Sequence, residues 1–244
     1  MRVAPSNAAV HIRPCADVAS WQRCVELQSE VWRFDPSELV PVHVLLVAVK
    51  TGGQVLGAFD EANRQIGFAL AFPAFRGERR YLHSHMVAVV SEWQNRGAGR
   101  QLKLAQREEA LARGIDLIEW TFDPLEVRNA HFNIARLGAI VRRYLPDLYG
   151  PSSSPLHRGL PTDRLVAEWW LSSPRVIAAV QGETGARSPK HVEIVVPATA
   201  NAVTAEAQAQ IRAEFIEWLG RGYAVTGFEK GSEAASYLLE PYEN

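Results

Sequence analysis

Apolar and polar residues alternate along this chain in blocks whose spacing predicts strands and helices in succession. Residues 10–13 predict a short strand, and residues 17–32 predict a helix that an Asp-Pro pair ends. Residues 42–50 are apolar enough for either a strand or a helix. Three further apolar blocks, separated by polar or glycine-containing turns, then predict antiparallel strands at 54–59, 65–75 and 82–89.

The rest of the chain continues this alternation. A helix is predicted over residues 101–113, with an apolar stripe at Leu102, Ala105, Leu111 and Ala112. The elements predicted next are a strand at 117–122, a helix at about 126–137, strands at 140–148 and 164–171, a helix at 173–181, a strand at 191–196, a helix at 204–219 and a hairpin at 223–228 and 235–239, with loops at 150–163 and 182–190. We therefore predict an α/β domain over residues 1–171, followed by an extension over residues 172–244 that packs on the sheet or forms a dimer contact.

The turn between the 82–89 strand and the following helix is the most informative segment of the chain. Gln94, Gly97 and Gly99 precede a helix N-terminus, where the first N–H groups have no partner within the helix and the helix dipole is positive. The two glycines carry no side chain that would keep a phosphate away from this backbone. A P-loop is excluded because no Lys-Ser or Lys-Thr pair follows, and a dinucleotide fingerprint fits poorly because Leu102 stands where a small residue is needed. The segment therefore predicts a site for a phosphate-bearing ligand.

The pattern Gln94-x-x-Gly97-x-Gly99 after an apolar strand resembles motif A of the GNAT superfamily of acyl-CoA N-acyltransferases. The resemblance implies a GNAT fold, in which a mixed, mostly antiparallel central sheet is flanked by helices. It also implies acetyl-CoA or another acyl-CoA as co-substrate, because in this family the loop amides hold the coenzyme A pyrophosphate and the preceding strand pairs with the pantetheine arm. The residues that would then contact the cofactor are Val87, Val89, Gln94, Asn95, Arg96, Gly97, Ala98, Gly99 and Arg100, together with Asn129 farther along the chain.

Two histidines precede this turn on the 82–89 strand. His83 and His85 are two residues apart, so a regular strand would place both imidazoles on one face. In the family that the chain resembles, histone acetyltransferases carry a glutamate general base at the position of His83, and serotonin N-acetyltransferases carry a His-x-His pair at both positions. An imidazole that titrates near neutrality suits the removal of a proton from an amine. We therefore predict that His83 and His85 are catalytic; the alternative is that they only pack in a half-buried strand.

The resemblance is weaker in the helix predicted at about 126–137. Many family members use a tyrosine four residues before the glycine that ends this helix to protonate the leaving thiolate, and here that position is Ile134. Asn129 best matches the usual asparagine at the start of the helix, with Asn133 as the alternative. Tyr144 and Tyr149 are candidates for the general acid, although packing on a strand also explains each of them. We leave the general acid unassigned.

Charged side chains elsewhere have more than one interpretation. Arg100, Lys103 and Arg107 could reach the 3′-phosphate of coenzyme A; Arg100 adjoins the loop, whereas a solvated basic face explains Lys103 and Arg107 at least as well. Asp163 and Arg164 could bind a charged substrate or form a surface pair. They lie in a Leu-Pro-Thr-Asp-Arg-Leu segment that resembles a bacterial subgroup of GNAT enzymes, some of them associated with N-acylated, including N-succinylated, amino acids.

Composition and charge narrow the class of protein. Apolar residues at 47% and charged residues at 22% are typical of a globular protein with a real core, and a net charge of -1 provides no positive surface for nucleic acid or an anionic membrane. No run approaches 18 apolar residues, and residues 1–6 contain no apolar signal-peptide core. Cys15 and Cys24 are expected in one helix, facing different sides, as the reduced thiols of a cytoplasmic protein. No cysteine or histidine cluster has metal-ligand spacing, so no metal is predicted.

These observations together predict an acyl-CoA-dependent N-acyltransferase. It would move an acetyl or succinyl group from a coenzyme A thioester to a primary amine of a small molecule such as an amino acid. The amine would attack directly, because the sequence contains no nucleophile pair that marks a ping-pong enzyme. The alternative is a non-catalytic acyl-CoA-binding or sensing domain, which the missing tyrosine favours and the histidine pair disfavours. The predicted partners are a small-molecule amine and, through the extension, a second copy of the chain in a homodimer.

Overall fold

The computed structural model describes residues 9–150, 159–183, 191–199 and 203–242, which form a mixed α/β structure. Parts of the predicted loops, residues 151–158 and 184–190, lie outside the described residues, as do residues 1–8. The described chain divides into two compact units, one ending at Asp116 and the other beginning at Leu117. Strand pairing within each unit is antiparallel throughout. The predicted fold class, a mostly antiparallel sheet with flanking helices, is confirmed.

The first unit contains four strands and three helices. Its elements are β1 (His11–Pro14), α1 (Val18–Trp32), α2 (Val42–Lys50), β2 (Gln54–Phe59), β3 (Gln65–Arg76), β4 (Arg79–Val89) and α3 (Ala98–Ala112), with short 3₁₀ turns at Pro36–Glu38 and Ser91–Trp93. The strands lie in the order β1-β2-β3-β4. The segment 42–50, for which the sequence left both types open, is therefore a helix.

Helix α1 begins at a capping box. Asp17 accepts a hydrogen bond from the backbone N–H of Ser20 at 2.7 Å, and the backbone N–H of Asp17 donates to Ser20 Oγ at 3.3 Å. These two bonds satisfy donors that the first helical turn leaves without partners. The cap also fixes where the chain leaves β1 and turns into the helix, so that α1 can bury Cys24 and Leu27.

The sheet of the first unit has a separate apolar core on each face. On one face, α1 and α2 pack Leu27 and Leu45 against Phe68 and Leu70 of β3. On the other face, α3 packs Leu102 against strand residues that alternate with the first set, namely Leu56, Ala58, Ala69 and Val89. Alternation along β3 therefore assigns each strand residue to one of two helix layers.

The prediction that Cys15 and Cys24 lie in one helix and face different sides is wrong. Helix α1 begins only at Val18, so Cys15 lies in the connection between β1 and α1, and its N–H donates to Val55 O of β2 at 2.8 Å. The Sγ atoms of the two residues are 3.9 Å apart in the core between α1 and the sheet. The capping box makes this contact possible, because it starts the helix after Cys15 instead of before it.

The second unit contains six strands, again with helices between them. Its elements are β5 (Leu117–Phe122), α4 (Val127–Ala130), β6 (Ile140–Leu145), β7 (Arg164–Trp170), α5 (Pro174–Gln181), β8 (Val192–Pro197), α6 (Ala205–Gly220), β9 (Tyr223–Lys230) and β10 (Ala234–Pro241). The strand order is β5-β7-β6-β9-β10-β8. The helix predicted at 126–137 is only partly an α-helix, because α4 continues as a π-helical segment over His131–Arg136.

The residues after 172 share a core with β5, β6 and β7. Strand β9 joins the edge of β6, where Val141 is paired with Val225. Phe215 of α6 is fully buried and its ring lies 5.6 Å from the ring of Tyr144. The buried Tyr237 donates its hydroxyl to the Pro124 carbonyl at 2.7 Å. In the part of the chain that the structure describes, no helix is long and apolar enough to cross a membrane.

Candidate active site

The turn that leads from β4 into α3 is built around two residues with left-handed backbone. Asn95 has φ 60° and Gly97, the N-cap of α3, has φ 88°. Gln94 donates its side-chain amide to Val89 O at 3.0 Å, which ties the turn back to the end of β4. Trp93, 7% exposed, precedes Gln94 and packs into the core on the α3 face of the sheet, which also fixes the turn. The helix therefore starts at Ala98, three residues earlier than predicted.

The helix N-terminus at this turn faces open space. A Cβ atom on Gly97 would meet no heavy atom within 4 Å, and one on Gly99 would only touch Val89 Cγ2 at 4.0 Å. No side chain of the described residues caps the helix at Gly97. The guanidinium of Arg96 lies 5.9 Å from the Trp93 ring centre, so a positive charge stands beside the turn. First-turn N–H groups, a helix dipole and this charge together form an anion-binding environment.

The two histidines of β4 lie side by side, as expected, although the strand is not regular there. Residue 84 is paired with Ala71 and Met86 with Leu70, so His85 is the additional residue of a β-bulge. Ser84 points toward α3, whereas His83 stands opposite Phe72, which packs on the α1 and α2 side. The ring of His85 lies 5.7 Å from Phe72 and 6.2 Å from the ring of His83. Both imidazoles therefore occupy the sheet face that α1 and α2 cover.

The surroundings of His85 favour its neutral form. Partial burial lowers the pKa of His85 to about 4, and the positive charge of a protonated His83 lowers it further. His85 is nevertheless an exposed residue, so a ligand can reach it. An imidazole with this pKa is neutral at pH 7 and holds a proton only transiently. It suits a relay between a base and solvent better than it suits a group that stores the proton.

A buried polar network lies on the opposite side of β4, directly behind the bulge. Lys103 of α3 donates to Ser84 Oγ at 3.1 Å, and Ser84 donates in turn to Gln106 Oε1 at 3.0 Å. Lys103 is only 3% exposed, and burial holds its pKa well below the usual lysine value. Both interpretations of Lys103, a residue of a solvated basic face or a contact of the coenzyme A 3′-phosphate, are therefore wrong. Its Nζ atom lies against β4, on the face opposite the histidines.

The predicted apolar stripe of α3 is also only partly correct. Leu102 is fully buried, but Ala105 and Leu111 are half-buried and Ala112 is exposed. The buried face of α3 consists of Ala98, Leu102, Lys103, Gln106 and Ala110. Two polar side chains can be buried there because both bond to Ser84, whose Oγ accepts from Lys103 and donates to Gln106 Oε1.

In the second unit, the asparagines considered for the cofactor differ in exposure. Asn129 is exposed on α4, whereas Asn133 is 5% exposed within the π-helical segment. Ile134, at the position of the family's tyrosine, is fully buried. Tyr149 exchanges a 2.9 Å hydrogen bond with Thr121 Oγ1 and is exposed. Only Asn129 and Tyr149 among these residues therefore present a polar group at the surface of this unit.

Asp163 and Arg164 are not surface groups. Asp163 is fully buried and accepts hydrogen bonds from Arg212 Nε and Nη2, both at 2.8 Å, and from Tyr144 Oη at 2.5 Å. Burial, with the hydrogen bond to Asp163, raises the pKa of Tyr144 well above the ordinary tyrosine value. Arg164 is 7% exposed and lies over the Tyr149 ring. The interpretation as an exposed substrate anchor or surface pair is therefore wrong, and Asp163 holds α6 to the strands.

A second charged cluster of this unit was only partly apparent from the sequence. Glu119 and Glu168 are paired across β5 and β7, and both are nearly fully buried. Arg143 reaches Glu119 at 2.9 Å, and Arg142 reaches Glu168 at 2.6 Å. The available signal was a glutamate within each apolar strand, Leu-Ile-Glu-Trp and Val-Ala-Glu-Trp. A buried carboxylate of this kind requires a charged partner, which the sequence does not identify.

The described residues contain no group of three or more histidine, cysteine or acidic side chains placed to hold a metal ion.

Comparison with known proteins points to one family: the model of the acetyltransferase (GNAT) family matches residues 17–139. No curated protein matches the chain in sequence.

Solved structures share the fold at low identity. A GNAT-family protein of Desulfovibrio desulfuricans superposes with a TM-score of 0.54 at 17% identity, over 67% of this chain and 100% of its own. NAA60 of Arabidopsis thaliana in complex with acetyl-CoA gives 0.53 at 13% identity, over 66% and 99%. An aminoglycoside 6'-acetyltransferase type Ii gives 0.53 at 16% identity, over 67% and 98%.

Proposed function

Because the chain belongs to the acetyltransferase (GNAT) family, whose model matches just over half of its residues, we propose that it is an acyl-CoA-dependent N-acyltransferase. It transfers an acetyl or succinyl group from the coenzyme A thioester to a primary amine of a small molecule such as an amino acid. The observation that carries the proposal is the position of the His83 and His85 rings, 6.2 Å apart on the strand that leads into the anion-binding turn.

The cofactor part of the proposal rests on the backbone of one segment. The turn from Gln94 to Arg100 holds the coenzyme A pyrophosphate through the first N–H groups of α3, in the open space in front of Gly97 and Gly99. The backbone at Val87 and Val89 pairs with the pantetheine arm and polarises the thioester carbonyl. The acetyl-CoA complex of the Arabidopsis protein, which shares the fold, supports this choice of cofactor. Asn129 is a further candidate contact.

The histidine pair supplies the proton path. His83 takes the proton of the attacking amine, directly or through His85 or a water molecule. The low pKa of His85, about 4, keeps that ring neutral and able to pass a proton on. The amine attacks the thioester carbonyl directly, since both reactants are held together and no covalent enzyme intermediate is needed. The thiolate of coenzyme A leaves without an assigned acid; of the two candidate tyrosines, Tyr144 is engaged as a hydrogen-bond donor to Asp163.

A non-catalytic acyl-CoA-binding domain is the alternative function. Its support is the buried Ile134 at the position where the family commonly has a tyrosine. A binding domain requires the glycine turn but does not require two adjacent imidazoles on β4. The pair therefore favours the enzyme.

We also propose that residues 1–171 carry the acyltransferase domain and that residues 172–244 form an extension that completes its core. The bonds from Arg212 to Asp163 and from Tyr237 to Pro124 support this arrangement, because both cross the proposed boundary. The extension therefore supports the strands of the second unit, and a homodimer contact is a second role for it.

Purified protein incubated with pooled primary amines and with either acetyl-CoA or succinyl-CoA tests the function. We expect release of free coenzyme A thiol that depends on the amine, together with an amine product heavier by one acyl group. Gly97→Glu is the control for cofactor-dependent turnover, since it places bulk and a like charge on the phosphate path. Coenzyme A binding without amine-dependent thiol release from any pool would favour the binding domain instead.

A further inference from the structure

Two thiols of the first unit lie within contact distance of each other. Cys15 Sγ and Cys24 Sγ are 3.9 Å apart, and the residues are 2% and 0% exposed. Cys15 stands in the connection after β1, with its N–H bonded to β2, whereas Cys24 lies in the second turn of α1. Both are free thiols. A disulfide has sulfur atoms about 2.05 Å apart, so an approach of about 2 Å would join them.

The side chain of Gln65 contacts both sulfur atoms. Its side-chain amide nitrogen lies 3.1 Å from Cys24 Sγ and 3.6 Å from Cys15 Sγ, while its amide oxygen is buried without a hydrogen-bonding partner. An N–H donor shared by two sulfurs stabilises negative charge on either one. The cluster therefore has a built-in donor for a thiolate, which a purely apolar packing of two cysteines would not have.

A surface depression is lined in part by the same glutamine. It has a volume of about 570 Å³, and the polar side chains of its lining include Arg23, Glu26, Glu30, Arg64, Gln65 and Glu92. Gln65 is thus common to the depression and to the thiol pair. A small, neutral oxidant that enters the depression therefore meets a residue whose side-chain amide contacts both sulfurs.

The two thiols are not equivalent. The hydrogen bond from Cys24 lowers the pKa of Cys15, and contacts with Ser20 and Gln65 lower it further, against the effect of burial. The same contact with Cys15, with burial, raises the pKa of Cys24. The thiolate is the reactive form of cysteine, so Cys15 is the attacking sulfur and Cys24 the second, resolving one.

We propose that Cys15 and Cys24 form a redox-modification site at which a peroxide converts the two thiols into an intrachain disulfide. The Cys15 thiolate attacks one peroxide oxygen, the O–O bond breaks, and the Cys15 sulfenic acid and one water form. The Cys24 sulfur then attacks the Cys15 sulfur, the S–O bond breaks, and a second water leaves. The two thiols lose two hydrogen atoms, and hydrogen peroxide is reduced to two water molecules. This reaction of the two thiols does not depend on acyl transfer by the chain.

The test uses the reduced full-length chain and hydrogen peroxide, followed by alkylation and mass spectrometry. We expect a loss of two hydrogen atoms per chain and no alkylated cysteine, both reversed by dithiothreitol. Trypsin cleaves between Arg23 and Cys24, so the disulfide will join peptide 3–23 to peptide 24–33. This crosslinked pair, released into two peptides by reduction, identifies the bond.

Two variants assign the roles of the sulfurs. With Cys24→Ala, peroxide should leave Cys15 as a sulfenic acid that dimedone labels; with Cys15→Ala, Cys24 should stay a free thiol under the same dose. Both thiols remaining alkylatable in the native chain after peroxide treatment would overturn the proposal. So would crosslinks only between chains, or oxidation of a single cysteine beyond the sulfenic acid without the joined peptides.

Discussion

Replacing Arg212 with methionine removes an arginine that makes two hydrogen bonds to the side chain of Asp163. The carboxylate is fully buried and receives two 2.8 Å bonds from Arg212, whose own side chain is 30% exposed. After the substitution, the donors to the Asp163 side chain that remain among the described residues are the Tyr144 hydroxyl at 2.5 Å and the Asp147 N–H at 2.9 Å. The variant therefore leaves a buried negative charge without its cation.

The size of the effect follows from this geometry. Breaking a buried ion pair by removing one partner costs ~3–5 kcal/mol. The partial exposure of Arg212 and the two remaining donors place Arg212→Met at the lower end, about 3 kcal/mol. For a chain of this length, such a loss lowers Tm by roughly 6–12 °C.

Urea unfolding followed by tryptophan fluorescence and circular dichroism measures the loss. Glu217→Gln is the matched control on the same helix, because its pair with Arg221 is exposed on both sides and its removal should cost ~0–1 kcal/mol. Adding Asp163→Asn to Arg212→Met should lose less than the sum of the single changes, since it removes the stranded charge. A free energy of unfolding for Arg212→Met within about 0.5 kcal/mol of the native protein would refute the assignment of Asp163 as the anchor of α6.

Three further predictions concern the first unit. Coenzyme A at about 100 times its Kd should stabilise the fold by about 2.7 kcal/mol. Gly97→Glu should abolish the corresponding rise in Tm, whereas Gly77→Glu, at another open glycine with positive φ, should retain it; an unchanged shift in Gly97→Glu would contradict the phosphate site. The His85 ring should titrate by NMR with a pKa of about 4. His83→Gln should raise that pKa, but not to 6.5, because burial lowers the pKa of His85 more than His83 does. A His85 pKa near 6.5 in the native chain would contradict the described surroundings. Lys103→Met should raise the free energy of unfolding at pH 7. At Lys103 the native chain binds fewer protons than the unfolded chain does, so the free energy of unfolding should rise with pH toward 10.5. The Lys103→Met variant should lose this pH dependence. Denaturation at several pH values measures both effects.

The sequence predicts the order of elements well where local pattern determines structure. Strands at 54–59 and 117–122 coincide with β2 and β5, because each is an apolar block of six residues between turns, which is too short for a typical helix. The glycine turn at the start of α3 also lies where the sequence predicts it, and that it binds a phosphate stays a prediction. The pairing of His83 with His85 followed from the period of a strand.

Other features depend on tertiary contacts that a local pattern does not contain. The bulge at His85 was not predicted, because it arises from the register of β4 against β3. Lys103 appeared to be a surface residue, because its buried partner Ser84 lies 19 residues away in sequence. Asp163 has the residue type of a substrate anchor, but Arg212, 49 residues farther along the chain, determines its role.

The acid–base role of the β4 histidines is the central claim, and kcat/KM as a function of pH in His83→Ala and His85→Ala tests it most directly. A positioned general base contributes about 10²–10⁴-fold. We expect His83→Ala to lower kcat/KM by that factor and to shift or remove its acidic limb, with a smaller loss in His85→Ala and an unchanged Kd for coenzyme A. His43→Ala, at an exposed histidine of α2, is the control and should keep native kcat/KM. Two fully active variants with the native pH profile would contradict the account and return both rings to strand packing.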